Sequence, residues 1–219
     1  MESRWERASR GPRNRLGHMI SGLTADAISE HAREPMAIDL RKARMGDIAP
    51  LLELINGYAS QGIMLPRTEF ELSESIRDFS VAYAGGRLVG CGALHFYSPT
   101  TGEIRSLAVA ECAKTHGVGR QIVETLVTEA CDYSLDAIFA FTYVPDFFRK
   151  LAFEEVERGA LPLKAWKDCL RCPKFQCCDE IAMIRVLQPA HWADTPHQQG
   201  YQSTPNEGTE TVVFPIVRK

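Results

Sequence analysis

The segment from Glu103 to Arg120 constrains this chain most. An apolar strand pattern, Ser106-Leu107-Ala108-Val109, runs through a short loop into Lys114-Thr115-His116-Gly117-Val118-Gly119-Arg120, and a helical repeat follows. A strand that feeds a helix through such a turn can point successive backbone N–H groups into one concave space, where the helix start adds partial positive charge. A side chain at either glycine would hold a phosphate away from that backbone. Two glycines at this spacing also suit an ordinary strand-to-helix turn, so taken alone the loop leaves both readings open.

The flanking pattern supplies the rest of a domain. Ile38 to Arg44 reads as a strand, and Ile48, Leu51, Leu52 and Ile55 recur at helical spacing behind Asp47. Thr68 and Glu71 form a capping-box pair ahead of a second short helix. Ser80 to Ala84, Gly85-Gly86 and Arg87 to Phe96 read as a hairpin with a glycine turn. A strand over 103–109 and a helix over 117–130 follow, the helix burying Ile122, Val123, Leu126 and Val127. A strand over 137–142, a short helix over 145–151 and a strand over 180–187 complete an α/β (α+β) unit with a mixed, mostly antiparallel sheet. Residues 1–35 have no apolar period and read as a disordered arm, 36–187 as the domain, and 188–219 as a flexible tail in which 211–217 could add an edge strand.

With 25 Lys and Arg against 28 Asp and Glu, the net charge of -3 provides no broad basic field for nucleic acid or an anionic membrane. No apolar run approaches the roughly 18 to 20 residues of a membrane span, and the first residues lack the apolar stretch of a secretory signal. The expectation is a cytoplasmic protein acting on a small molecule, with no nucleic-acid or membrane partner and with a homo-oligomer left open.

Two segments carry a family resemblance. Ser106 to Val109 with the loop to Gly119 resembles the GNAT N-acetyltransferase signature, a strand followed by Q/R-x-x-G-x-G/A, with Lys114 in place of Gln or Arg. Val144 to Phe153 resembles that family's later FY-x-K-x-GF segment, with Phe148 where many members have Tyr and Ala152 where most have Gly. The resemblance implies an acetyl-CoA-dependent transferase. The coenzyme would be held by Leu107, Ala108, Val109, Lys114, Thr115, His116, Gly117, Val118, Gly119, Arg120 and Phe148. Its pantetheine arm would pair with the 103–109 strand like an added edge strand. Because Lys keeps a cation but loses a planar donor, the loop's backbone would carry most of the phosphate recognition.

Acetyl transfer to an amine requires a neutral nucleophile, stabilisation of a developing oxyanion and a proton for the leaving thiolate. The resemblance places a catalytic carboxylate at Glu103 and the oxyanion donor among the backbone N–H groups of 107–109. With Phe148 in place of Tyr, the thiolate's proton falls to Tyr143 or water, and Tyr143 reads first as a packing residue. Arg105 lies on the same face of its strand as Glu103, and Arg67 sits between the first two helices; Arg forks match carboxylates. The segments 38–43, 61–67, 102–109 and 163–169 resemble the acetyltransferase domain of bacterial N-acetylglutamate synthases, in a short stand-alone form. That resemblance implies L-glutamate as acceptor, with Arg67 and Arg105 as its carboxylate binders, at the first step of arginine biosynthesis. Another amino acid or small amine, or a non-catalytic acyl-CoA-binding module, are the alternatives.

Seven Cys, four of them at Cys169, Cys172, Cys177 and Cys178, suit reduced thiols or a metal better than a disulfide framework. Cys169, Cys172 and Cys178 have spacing compatible with part of a tetrahedral zinc site, although one tight cluster lacks the second ligand pair such sites use. The other reading is a reduced Cys-rich loop ahead of the last strand.

Overall fold

The computed structural model describes residues 36–158, 161 and 172–194. The arm at 1–35, the edge strand at 211–217 and Cys169 lie outside the described residues. Among these residues seven strands form one sheet: β1 (Asp39–Lys42), β2 (Phe79–Ala84), β3 (Arg87–Phe96), β4 (Thr101–Val109), β5 (Ala137–Thr142), β6 (Glu154–Glu155) and β7 (Ile181–Val186). Their order is β1-β2-β3-β4-β5-β7-β6, and every neighbouring pair is antiparallel except β4–β5. The sheet is therefore mixed and mostly antiparallel, as the pattern predicts.

Helices cover both faces. On one, α1 (Ile48–Ala59) and α2 (Glu69–Ser75) bury Ile48, Leu51, Ile55 and Leu72 against Phe79, Val81, Cys91, Ala93 and Ala108. On the other, α3 (Val118–Asp132) packs Ile122, Val123 and Leu126 against Leu94, Ile104, Ile138 and Met183. Burying each such side chain is worth about 1.5 to 3 kcal/mol. α3 comes close because β3 offers it glycines: a Cβ on Gly92 would lie 2.9 Å from Ile122 and 3.3 Å from Leu107. The β2–β3 turn uses Gly85 and Gly86 at φ 54° and 76°, the positive values a tight two-residue hairpin requires.

The capping box is present. Thr68 Oγ1 accepts from Glu71 N at 3.2 Å, and Glu71 Oε2 accepts from Thr68 N at 2.8 Å. Two features differ from the sequence expectation. Among the described residues, 3₁₀ segments at Met45–Asp47, Ile76–Asp78, Glu111–His116 and Phe175–Cys177 add to the elements the pattern predicts. The stretch after Gln188 also begins with structure. α5 (Pro189–Asp194) seats Trp192 on the apolar cluster of Phe139, Ala182 and Ile184, and Pro189 opens it because a first-turn residue needs no N–H partner.

Candidate active site

β4 and β5 run side by side only at Thr101–Ala137, Gly102–Ile138 and Glu103–Phe139. Beyond that point β4 continues to Val109, while β5 remains paired to β7 as far as Thr142. The two strands part, and along 104–109 β4 presents an edge toward the gap with no strand pairing among the described residues. Such an edge can accept an extended, amide-bearing chain in place of a strand.

Midway along this edge the strand slips by one residue. Cys91 pairs with Ala108 and Ala93 with Arg105, so Gly92 alone faces Ser106 and Leu107, and Ser106 takes φ 52°. This β-bulge reverses the alternation of side chains. Arg105 shares the α1 face with its partner Ala93, whereas Leu107 and Val109 pack toward α3 and Ala108, 4% exposed, returns to the α1 face. The Cys91 thiol beneath donates to Ser106 O at 3.5 Å, and burial pushes it up to about 12.

Glu103 stands at the last paired position before the strands diverge, 1% exposed, opposite His95 of β3. Arg105 follows on the same face, its guanidinium 3.9 Å from Asp78 Oδ2; the same oxygen lies 2.8 Å from His95 Nδ1. Arg67 belongs to the connection between α1 and α2, on this side of the sheet. Asn56 of α1 clamps its backbone, donating to Arg67 O at 2.9 Å and accepting from Arg67 N at 2.9 Å. Glu103, Arg105 and Arg67 are thus held on the α1 face, two of them at the mouth of the gap.

The far end of β4 leads into the glycine loop. Residues 111–116, containing Lys114, Thr115 and His116, turn in 3₁₀ form, and Gly117 takes φ 73°, ψ 10°, a left-handed conformation that favours glycine. α3 then starts at Val118, so the N–H groups of Val118, Gly119 and Arg120 fall in a first turn that no helix can satisfy internally. A Cβ on Gly119 would lie 3.4 Å from the Phe147 ring and 3.5 Å from Val109, so glycine keeps this end of the slot narrow. These features fit a pyrophosphate, and the donors are mainly backbone. Lys114 is tied at 2.5 Å to Glu111 and lies 5.2 Å over the Tyr58 ring, while Tyr58 OH donates to Val109 O at 2.5 Å. Beside the helix start, Arg120, Lys150 and Arg185 line an open depression together with Glu124.

Phe148 of α4 (Pro145–Arg149) is a core residue at 3% exposure, with Phe153 at 5.2 Å; it is Phe147 that stands beside Gly119. Tyr143 is 37% exposed at the end of β5, its hydroxyl 3.2 Å from Lys174 Nζ, and desolvation pushes its ionisation up. Cys172, Cys177 and Cys178 are free thiols, and no group of three or more His, Cys, Asp or Glu among the described residues is placed to hold a metal ion. No helix among them is long and apolar enough to cross a membrane.

Sequence reasoning missed Tyr58, Asn56, Asp78 and His95. The last was within reach of hairpin register, since the pairing of Phe96 with Gly102 sets His95 opposite Glu103.

A parted pair of strands that opens onto a helix-start anion cradle, with a buried carboxylate at the fork, suits an acyl-coenzyme A-dependent transferase. Residues 51–153 match the acetyltransferase (GNAT) family. The chain is 40% identical over 148 residues to an uncharacterized N-acetyltransferase of Chlorobaculum tepidum, covering 68% of this chain and 96% of that one. It is 36% identical over 135 residues to an amino-acid acetyltransferase of Mycobacterium tuberculosis, covering 60% and 77%. Among solved structures it resembles N-acetylglutamate synthase from Neisseria gonorrhoeae complexed with coenzyme A and N-acetyl-glutamate, with TM-score 0.63 and 28% identity. That match covers 69% of this chain and 35% of the Neisseria chain. The chain belongs to the GNAT family: it is an acetyl-CoA-dependent N-acetyltransferase with amino-acid acetyltransferase relatives.

Proposed function

We propose that the protein transfers the acetyl group of acetyl-CoA to the α-amine of L-glutamate, the first step of arginine biosynthesis, in the cytoplasm, and that residues 36–187 carry this activity. The observation that carries the reading is the placement of Glu103 and Arg105 on one strand at the fork of β4 and β5. The names of the relatives point the same way.

In this reading the coenzyme's pyrophosphate lies on the first turn of α3 and its amide-bearing arm along the open edge of β4. Arg105 and Arg67 hold the acceptor's carboxylates, which fixes its amine near Glu103. Glu103, being buried, takes a proton from the ammonium through a bridging water. A backbone N–H of the 107–109 stretch, turned by the bulge, meets the negative charge that develops on the thioester oxygen. The thiolate then receives the amine's second proton, by way of water, because Phe148 has no hydroxyl and sits in the core.

Asp78 beside Arg105 reduces the positive charge offered to a side-chain carboxylate, which favours glutamine as a second acceptor to compare. Acetyl-CoA consumption by the full chain across a panel of L-amino acids tests the reading. Glutamate should be the best acceptor, and absence of glutamate turnover overturns the assignment. Arg105→Ala and Arg67→Ala should each raise the KM for glutamate about tenfold or more while leaving the KM for acetyl-CoA little changed. Glu103→Gln should lower kcat roughly 100-fold or more. Unchanged turnover in both Glu103→Gln and Arg105→Ala would remove the site even with the enzyme class intact.

A further inference from the structure

Acetylation of an amino acid at neutral pH begins from an ammonium. One proton must leave before the nitrogen can attack, and a second moves from nitrogen to the thiolate, so each turnover releases one proton to solvent. Glu103, at 1% exposure, is poorly placed to pass the first proton straight to bulk water.

The residue directly across from it offers a way out. His95 pairs with Glu103 in the β3–β4 register, and residues directly opposite in an antiparallel pair share a face with Cβ atoms about 5 Å apart. The His95 side chain is 30% exposed, and its Nδ1 lies 2.8 Å from Asp78 Oδ2. With Nδ1 engaged at the Asp78 carboxylate, Nε2 is the ring nitrogen left to exchange a proton. The charged and polar groups around this imidazole are Glu103 opposite it, the Asp78 carboxylate, the Arg105 guanidinium 3.9 Å from that carboxylate and Lys42, whose Nζ donates to Asp78 O at 3.3 Å, while the Tyr97 ring packs edge-on at 5.1 Å.

We propose that His95, oriented by Asp78, is the outlet for the proton that Glu103 takes from the acceptor amine. The proton passes from the Glu103 carboxyl to His95 Nε2 and then to water, which restores both groups for the next turnover. No bond other than O–H and N–H changes in this step. The inference rests on Glu103 acting as the base, and it makes His95 and Asp78 positioning residues of the same site.

The competing role is a staple, in which the His95–Asp78 pair only joins β3 to the 3₁₀ segment at 76–78. The pH dependence of kcat separates the two, measured on the full chain with the best acceptor of the amino-acid panel and with thermal unfolding as a check on folding. His95→Gln should lower kcat at pH 7 by about 10- to 100-fold, and the gap should close as pH rises and more acceptor arrives as free amine. The KM for acetyl-CoA should stay as in the parent. His95→Ala should regain activity when imidazole is added. An unchanged pH profile in His95→Gln, or a loss that neither pH nor imidazole restores, overturns the relay. If His95→Gln does not fold, Asp78→Ala with the same pH readout decides, since it keeps the imidazole and removes its anchor: an unchanged pH profile there overturns the relay. A dead Glu103→Gln beside an unaffected His95→Gln would reject the relay and leave the base standing, whereas a fully active Glu103→Gln would reject both.

Discussion

Ala152 shows how much one residue can reveal. It takes φ 61°, a conformation that costs an L-residue roughly 1 to 2 kcal/mol, and it closes α4 in a Schellman motif. Phe153 N donates to Phe148 O at 3.2 Å and Ala152 N to Arg149 O at 3.2 Å, with the two Phe rings in contact across the turn. The glycine that most relatives are expected to carry here is therefore a backbone requirement. Ala152→Gly should raise stability by about 0.5 to 1 kcal/mol, because relief of the left-handed strain exceeds the glycine's added unfolded-state entropy. Thermal unfolding should show the midpoint rise by about 2 °C. A fall would mean that the Ala methyl contributes packing that outweighs the strain.

At the scale of elements, the same device ends two further helices. Gly62 closes α1 with Ile63 N donating to Tyr58 O, and Ser134 closes α3 with Leu135 N donating to Ala130 O. Gly62 alone shows the residue type that signals such an ending, so the other two turns could not be read from sequence. The hairpin and the long helices were legible because Gly85-Gly86 and the apolar period of Ile122, Val123 and Leu126 each have one physical solution. The bulge at Ser106 was not, since a serine at positive φ carries no local sign and the slip depends on strand pairing. The helix at 189–194 was hidden by polar composition, although Pro189 marked its start. In the candidate site, Glu103, Arg105 and the glycine loop follow one another along the chain and can be proposed from sequence, whereas His95, Asp78 and Tyr58 arrive from other elements.

One polar knot joins three elements and sets a pH dependence. Asp47, 4% exposed, accepts from Arg41 of β1 at 2.8 and 2.9 Å, from Arg44 N at 2.7 Å and from Tyr83 OH of β2 at 2.7 Å. The Arg41 hydrogen bond, with help from Arg44 N and Tyr83, holds its carboxyl well below the ordinary 3.8. The unfolded chain thus takes up this proton at higher pH than the folded one. The stabilisation is complete above about pH 4 and is lost as pH falls further toward the folded value. Asp47→Asn should cost about 3 kcal/mol at pH 7 and should flatten the decline of the urea midpoint as pH falls below about 4. A decline as steep as the parent's would place the acid-labile group elsewhere.

Across the whole molecule, the parting of β4 and β5 does more than open a slot. Between the sheet's two portions, β1 to β4 and β5 to β7, strand pairing among the described residues is confined to Thr101–Ala137, Gly102–Ile138 and Glu103–Phe139, supplemented by Asp136 N and Ala137 N donating to Thr100 O, the Tyr97–Phe139 ring contact and apolar packing of Ile138, Ala140 and Met183 under α3. Short seams of this kind mark the edges of units that open separately. Amides of β5 and β7 should exchange hydrogen through an opening of lower free energy than those of β2 and β3, and coenzyme A should slow them. One common exchange free energy for all strands would contradict this. The coenzyme would then act as the missing stitch along a fault line, so the affinity of the resting enzyme for acetyl-CoA becomes part of its mechanical integrity.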